Sequence, residues 1–174
     1  KDTNSILLHI DFSFDAPKLG GSSFSQIVNT LGTEVPEIGD VDYFKCAFDA
    51  VQKLIDKGLV LAGHDISAGG MITTLLEMNF GNKDWGLSVD LSGITEESLV
   101  KTLFSENPGV IIQVASLKGV EKILTDLGVC FSVIGSPIQS RELNIKKGNR
   151  TLNLSIDKLR DVWYKTSYLL DKQQ

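Results

Sequence analysis

Glu142-Leu143-Asn144-Ile145-Lys146-Lys147-Gly148-Asn149-Arg150-Thr151-Leu152-Asn153-Leu154 decides the fold class. Apolar and polar residues alternate on both sides of Lys147-Gly148-Asn149. A period of two, broken by a glycine turn, predicts a β-hairpin and so an antiparallel pair. Working back from this hairpin, strands and helices interleave. Strand-like runs cover residues 6–12, 59–63, 87–91, 109–114 and 129–134. A short helix follows Ser22 or Ser23 through Phe24, Ile27, Val28 and Leu31. Asp40 reads as the N-cap of a longer one, whose stripe of Phe44, Ala47, Phe48, Val51, Leu54 and Ile55 stops at Gly58. Further helices carry Met71, Ile72, Leu75, Leu76 and Met78, run from Thr95-Glu96-Glu97-Ser98 to Phe104, and cover 117–127. The last starts near Ile156 and carries Leu159, Val162, Trp163 and Leu169. Alternation alone would suit a doubly wound parallel sheet. The closing hairpin favours an α+β fold instead, a mixed β-sheet with helices packed on it. No repeat or linker interrupts 1–174, which reads as a single domain.

The bulk properties set limits on function. The chain has 174 residues, 42% hydrophobic and 22% charged, which is globular composition. Its net charge of -5 argues against nucleic acid or an anionic membrane as partner. No apolar run approaches the ~20 residues of a spanning helix. The start, Lys1-Asp2-Thr3-Asn4-Ser5, carries no signal-peptide pattern, so a cytoplasmic location is expected. The missing initiator Met suggests a piece of a longer chain. Cys46 and Cys130 form neither a zinc pattern nor a disulfide framework and are expected in the core. Arg141, Lys146, Lys147 and Arg150 are expected to form a solvated sheet edge.

Chemistry concentrates in Gly63-His64-Asp65-Ile66-Ser67-Ala68-Gly69-Gly70, between a buried strand and a helix. Ligands of α/β folds sit beyond the carboxyl ends of strands. Asp65 offers the hard carboxylate that magnesium prefers, and Ser67 offers a hydroxyl to a phosphate oxygen. Gly69 and Gly70 let a backbone come close, and the helix start presents N–H groups. The alternative is structural: Asp65 or Ser67 caps the helix, and the glycines only make the turn. The pattern is neither a Walker A loop nor a dinucleotide fingerprint. Lys18-Leu19-Gly20-Gly21-Ser22 is a second glycine turn, either plain structure, an anion site or a contact with a neighbouring domain. His64 reads as a structural imidazole. His9 could face a partner or solvent. Glu77 is either solvated or aimed at a neighbour. Ser105-Glu106-Asn107-Pro108 reads as a polar turn without chemistry.

Leu61-Ala62-Gly63-His64-Asp65-Ile66-Ser67-Ala68-Gly69-Gly70-Met71 resembles the HDxSDGGL signature of the phosphoribosylformylglycinamidine synthase family. Lys18-Leu19-Gly20-Gly21-Ser22-Ser23 is similar to its RLGGSA segment. Leu103-Phe104-Ser105-Glu106 with 109–114 is similar to its LFSEELGAVIQV stretch, and 163–168 to its WxxTSY run. The HDxSxGG element alone also occurs in aminoimidazole ribonucleotide synthetase, selenophosphate synthetase, thiamine-phosphate kinase and a hydrogenase maturation protein. The resemblance implies the C-terminal domain, of α/β/α layers like that of AIR synthetase, of the second synthetase half of the large single-chain form. It implies an ATP- and glutamine-dependent ligase that makes formylglycinamidine ribonucleotide in purine biosynthesis. By motif position, Asp65 would bind Mg2+, and Ser67, with Gly69 and Gly70, would hold ATP or a structural ADP. Neighbouring ATP-binding and glutaminase domains of the same parent chain are the implied partners. Ala68 departs from the family, standing where Asp is usual. The family's catalytic His, its glutaminase Cys and its main ATP-binding loops have no counterpart here, so no catalytic residue is assigned and the isolated chain is expected to be inactive. Two other classes stay open: a scaffold module without ligand chemistry, and a free-standing ATP-using relative.

Overall fold

Residues 4–172 are described in the computed structural model, apart from the side chain of Thr166; the opening Lys1-Asp2-Thr3 lies outside them. Seven strands among these residues form one sheet. In chain order they are β1 (Ile6–Asp11), β2 (Val60–Ile66), β3 (Gly86–Asp90), β4 (Gly109–Val114), β5 (Phe131–Ile138), β6 (Glu142–Lys147) and β7 (Arg150–Ser155). They lie side by side as β2-β4-β1-β5-β3-β6-β7. All neighbours are antiparallel except β3 and β6, which makes the sheet mixed. The closing hairpin forms in the register its alternation requires, Leu143 opposite Leu154 and Lys147 opposite Arg150.

Six helices cover the sheet: α1 (Ser23–Ile27), α2 (Val41–Asp56), α3 (Gly70–Phe80), α4 (Leu99–Phe104), α5 (Val120–Asp126) and α6 (Ile156–Asp171). Alternation along β1 sorts the core into two layers. Leu8 and Ile10 join Ile112, Val114 and the α2 and α5 residues Ala47, Ala50, Val51, Leu54 and Leu124. Leu7 joins Ile111, Ile134, Leu143 and Ile145 under Met71, Ile72, Leu75 and Leu103 of α3 and α4, with Ile156 of α6. The result is an α/β/α sandwich. Each fully buried Leu or Ile stabilises it by about 1.5–3 kcal/mol relative to exposure. Among the described residues no helix is long and apolar enough to cross a membrane.

The structure corrects several readings. The helix after Ser22 ends at Ile27, before Leu31, and leaves Ile27, Val28 and Leu31 exposed. Nothing packs there to reward continuation, and Asn29 turns left-handed (φ 55°). α4 starts after Ser98, whose hydroxyl accepts from Lys101 N–H; Glu96 lies outside the helix and accepts from Ser98 N–H. Cys46 and Cys130 are exposed, not core. Cys46 falls on the outer flank of α2, and Cys130 precedes β5, its N–H donated to the Tyr43 hydroxyl. Two of the four hairpin cations are internal. Lys147 is buried and donates to the carbonyls of Leu91 and Ile94, both at 3.0 Å. Arg141 donates to the carbonyls of Asn79 and Trp85 and pairs with Asp157 at 2.8 Å.

Candidate functional site: the turn between β2 and α3

β2 runs past the expected Gly63 to Ile66, so His64 and Asp65 are strand residues, held opposite Ile111 and Val110 of β4. The strand end is tied to α3 by Thr74, whose hydroxyl donates to the Asp65 carbonyl at 2.9 Å. Gly69 is the N-cap of α3, in left-handed backbone (φ 88°), and no side chain caps the helix. The capping alternative for Asp65 and Ser67 therefore fails. Both residues are exposed. The Asp65 side chain is 70% accessible and its nearest cation-forming neighbour is His64, Nδ1 to Oδ1 at 3.3 Å. The glycines, by contrast, answer to the fold. Gly70 (φ 73°) starts α3 so close to the end of α4 that a Cβ would lie 2.7 Å from the Leu103 carbonyl oxygen and 2.8 Å from that of Ser105.

His64 lies between two carboxylates, Nε2 being 3.3 Å from Glu77 Oε2 on α3. Its Nδ1 also lies 2.8 Å from the Asp65 carbonyl oxygen. The imidazole thus links the strand to the helix, and Glu77 faces a neighbour rather than solvent. A magnesium ion that stays bound to polyphosphate needs one or two protein carboxylates, its remaining ligands being phosphate and water. An accessible Asp65 beside a Ser67 hydroxyl fits such an ion as one protein ligand. It does not make a resident metal centre: among the described residues no three His, Cys, Asp or Glu side chains are grouped to hold a metal.

The residue that sequence reading passed over is Glu106. Its Oε1 accepts from Gly69 N–H and from Ser23 N–H, both at 2.8 Å. Desolvation works against its charge, yet these two donors hold its carboxyl below the ordinary glutamate value. Its neighbours brace the first glycine turn. Lys18 N–H reaches Ser105 Oγ and Asn107 Oδ1, both at 3.2 Å, and Asn107 Nδ2 donates to the Ala16 carbonyl. Ser105 Oγ in turn donates to Asn107 Oδ1. No local spacing could reveal this, because the partners of Glu106 lie 37 and 83 positions away. Lys18 is not a free anion ligand: its ammonium pairs with Asp15 at 2.6 Å and with Glu37 at 3.5 Å.

A cavity of about 350 Å³ opens on the α3 face of the sheet, lined by His9, Asp11, Thr95, Glu96, Asn107 and Ser132 among others. His9, partly buried, lines this cavity. Burial pushes its imidazole down to about 4, against a smaller upward pull from Asp11. Neither Asp65 nor Ser67 lines the cavity, but Ile66 between them does.

Comparison with known proteins agrees with this geometry. The model of the family described as AIR synthase related protein, C-terminal domain, matches residues 6–147. Over 98% of its length the chain is 40% identical to the probable phosphoribosylformylglycinamidine synthase, chloroplastic/mitochondrial, of Arabidopsis thaliana, of which it covers 12%. It is 34% identical to phosphoribosylformylglycinamidine synthase of Saccharomyces cerevisiae over 97% of its length, covering 13% of that protein. The chain thus spans about an eighth of these relatives. Among solved structures, PurL of Thermotoga maritima complexed with ATP superimposes with a TM-score of 0.70 at 15% identity, over 92% of this chain and 26% of that one. That likeness reaches the fold alone, while the family match covers most of the chain, the β2–α3 turn included. The chain belongs to the family of AIR synthase related protein C-terminal domains.

Proposed function

We propose that the chain is the C-terminal domain of the second synthetase half of a phosphoribosylformylglycinamidine synthase. In this reading the whole enzyme is an ATP-dependent ligase that takes its nitrogen from glutamine and serves purine biosynthesis. The domain, residues 1–174 as one unit, supplies one wall of a magnesium–nucleotide site. Asp65 holds the ion, Ser67 donates to the polyphosphate, and Gly69 and Gly70 shape the turn. Neighbouring ATP-binding and glutaminase domains of the same parent chain complete the machinery. When bound, the ion screens the phosphate charge; the chain's own residues only bind and orient. The nucleotide is ATP or ADP.

One observation carries the proposal. Asp65 and Ser67 are exposed polar residues at the mouth of α3, and neither caps it. T. maritima PurL has been solved in complexes with ATP and with ADP, which supports nucleotide as the ligand class. Titration calorimetry of the full-length protein with Mg-ADP tests it. Asp65→Ala is expected to weaken binding at least tenfold and Ser67→Ala several-fold, while the melting temperature without nucleotide stays within about 2 °C, as for exposed sites. Unchanged affinity in Asp65→Ala refutes the assignment. A second reading, a scaffold without ligand chemistry, draws on Ala68 and on the seat Glu106 already fills at Gly69. It predicts that Asp65→Ala and Ser67→Ala leave the Mg-ADP binding of the full-length protein unchanged. The cytoplasmic location belongs to the same proposal, beside an Arabidopsis relative named for chloroplast and mitochondrion. Fractionation of cells expressing the full-length protein decides it.

A further inference from the structure

We propose that Glu106 is a positioning residue that clamps the two glycine turns together and so sets where Asp65 and Ser67 stand. This role rests on the nucleotide reading given above. One carboxylate oxygen receives the N–H of Gly69, the N-cap of α3, and the N–H of Ser23, the first residue of α1. A carboxylate that accepts two backbone N–H groups makes charge-assisted bonds of about twice the strength of neutral ones. The arm that carries it is itself fixed. Ser105 N–H closes α4 onto the Lys101 carbonyl, and Asn107 is tied to Ser13 Oγ and the Ala16 carbonyl, both at 3.2 Å. Gly70 abuts the carbonyls of Leu103 and Ser105, with no room for a Cβ. The 67–70 turn therefore cannot shift without moving 103–106.

The clamp also decides how a polyphosphate can be held. An anion at a helix start is stabilised by free N–H groups. Here the Gly69 N–H already has its anion, supplied by the protein. A nucleotide must then be gripped by Asp65 and Ser67, on the strand side of the turn, rather than through the Gly69 amide. Glu106 touches no reacting atom in this account; it acts through the turn.

The test uses the full-length protein with Glu106→Ala, which removes the acceptor, and Glu106→Gln, which keeps an acceptor oxygen without the charge. Hydrogen exchange is followed in peptides spanning 20–26 and 66–72, and Mg-ADP affinity by calorimetry. Glu106→Ala is expected to speed exchange in both peptides more than tenfold, leave peptides of β1 and β4 unchanged, and weaken Mg-ADP about tenfold. Glu106→Gln is expected to recover most of both losses. Unchanged exchange in Glu106→Ala overturns the clamp. Loosened turns with unaltered affinity overturn the positioning role, as does a Glu106→Gln protein with firm turns but the affinity of Glu106→Ala. A wild-type protein that binds no Mg-ADP sinks the nucleotide reading and the positioning role with it, while exchange alone still judges the clamp. If Glu106→Ala does not fold, Glu106→Asp, one methylene shorter, takes its place with the same expected losses.

Discussion

His9 shows how one side chain inherits its chemistry from the pleat. It sits on a central strand between Leu8 and Ile10, but on the face where Gly109 and Ser132 leave space. Desolvated there, with only a smaller opposing pull from Asp11, the imidazole is neutral down to about pH 4. The unfolded chain takes up that proton near pH 6.5. Between those values the unfolded state binds more protons than the folded one, so stability must fall as the pH drops from 6.5 towards 4. The loss is on the order of 2–3 kcal/mol by the linkage of about 1.4 kcal/mol per unit. His9→Gln, which cannot titrate, is expected to flatten this limb in urea unfolding at pH 4.5 against pH 7. A slope equal to the wild type's would show that other groups cause it.

At the scale of elements, the decisive contact is the start of α3 against the end of α4. Gly70→Ala combines a left-handed backbone with a Cβ driven into two carbonyls that belong to a helix end and cannot step aside. Strain of that backbone alone costs about 1–2 kcal/mol, and the overlap adds to it, for a total on the order of 3 kcal/mol. Gly148→Ala in the β6–β7 turn has a similar positive φ (60°) but nothing within 4 Å, and is expected to cost about 1 kcal/mol. Denaturant midpoints of the two variants check the difference, and equal losses would mean that α4 yields. The contrast marks what the sequence could disclose. Strong local periodicity located α2 with its Asp40 cap, β4 to the residue, and the hairpin, though with a turn of three residues where the strands leave only Gly148 and Asn149. It singled out the β2–α3 turn as the candidate site, because strand, Asp, Ser and Gly-Gly are all local. It could not see that Pro137 lies within β5, because Gly135 and Pro137 read as breakers when the pairing with β3 is unknown. Nor could it see Lys147 turned inward or Glu106 joining two turns, since both depend on carbonyls and amides brought from elsewhere in the chain.

For the whole molecule, the placement of the site determines how much this chain can do alone. β2 is an edge strand, and Asp65 and Ser67 stand at its end with one side open. The described residues contribute one candidate carboxylate there and no enclosing wall, and the Lys18 ammonium is paired with Asp15. Ligand pockets that hold tightly bury most of their ligand, and a half-open wall does not. The 174-residue chain by itself should therefore bind Mg-ADP only weakly. At a concentration equal to its dissociation constant a ligand stabilises the fold by only about 0.4 kcal/mol. For a domain of this size that is a shift of roughly 1–2 °C. A thermal-shift series at 1 mM Mg-ADP is expected to move the isolated chain by no more than that, and the full-length protein by several degrees. The second shift should shrink in Asp65→Ala. The same isolated chain is expected to form no amidine from formylglycinamide ribonucleotide, ATP and ammonia, because the family resemblance assigns it no catalytic residue. A large shift in the isolated chain that is insensitive to Asp65→Ala would place its nucleotide elsewhere. The cavity under His9, walled on the α3 face of the sheet, would then be the place to look.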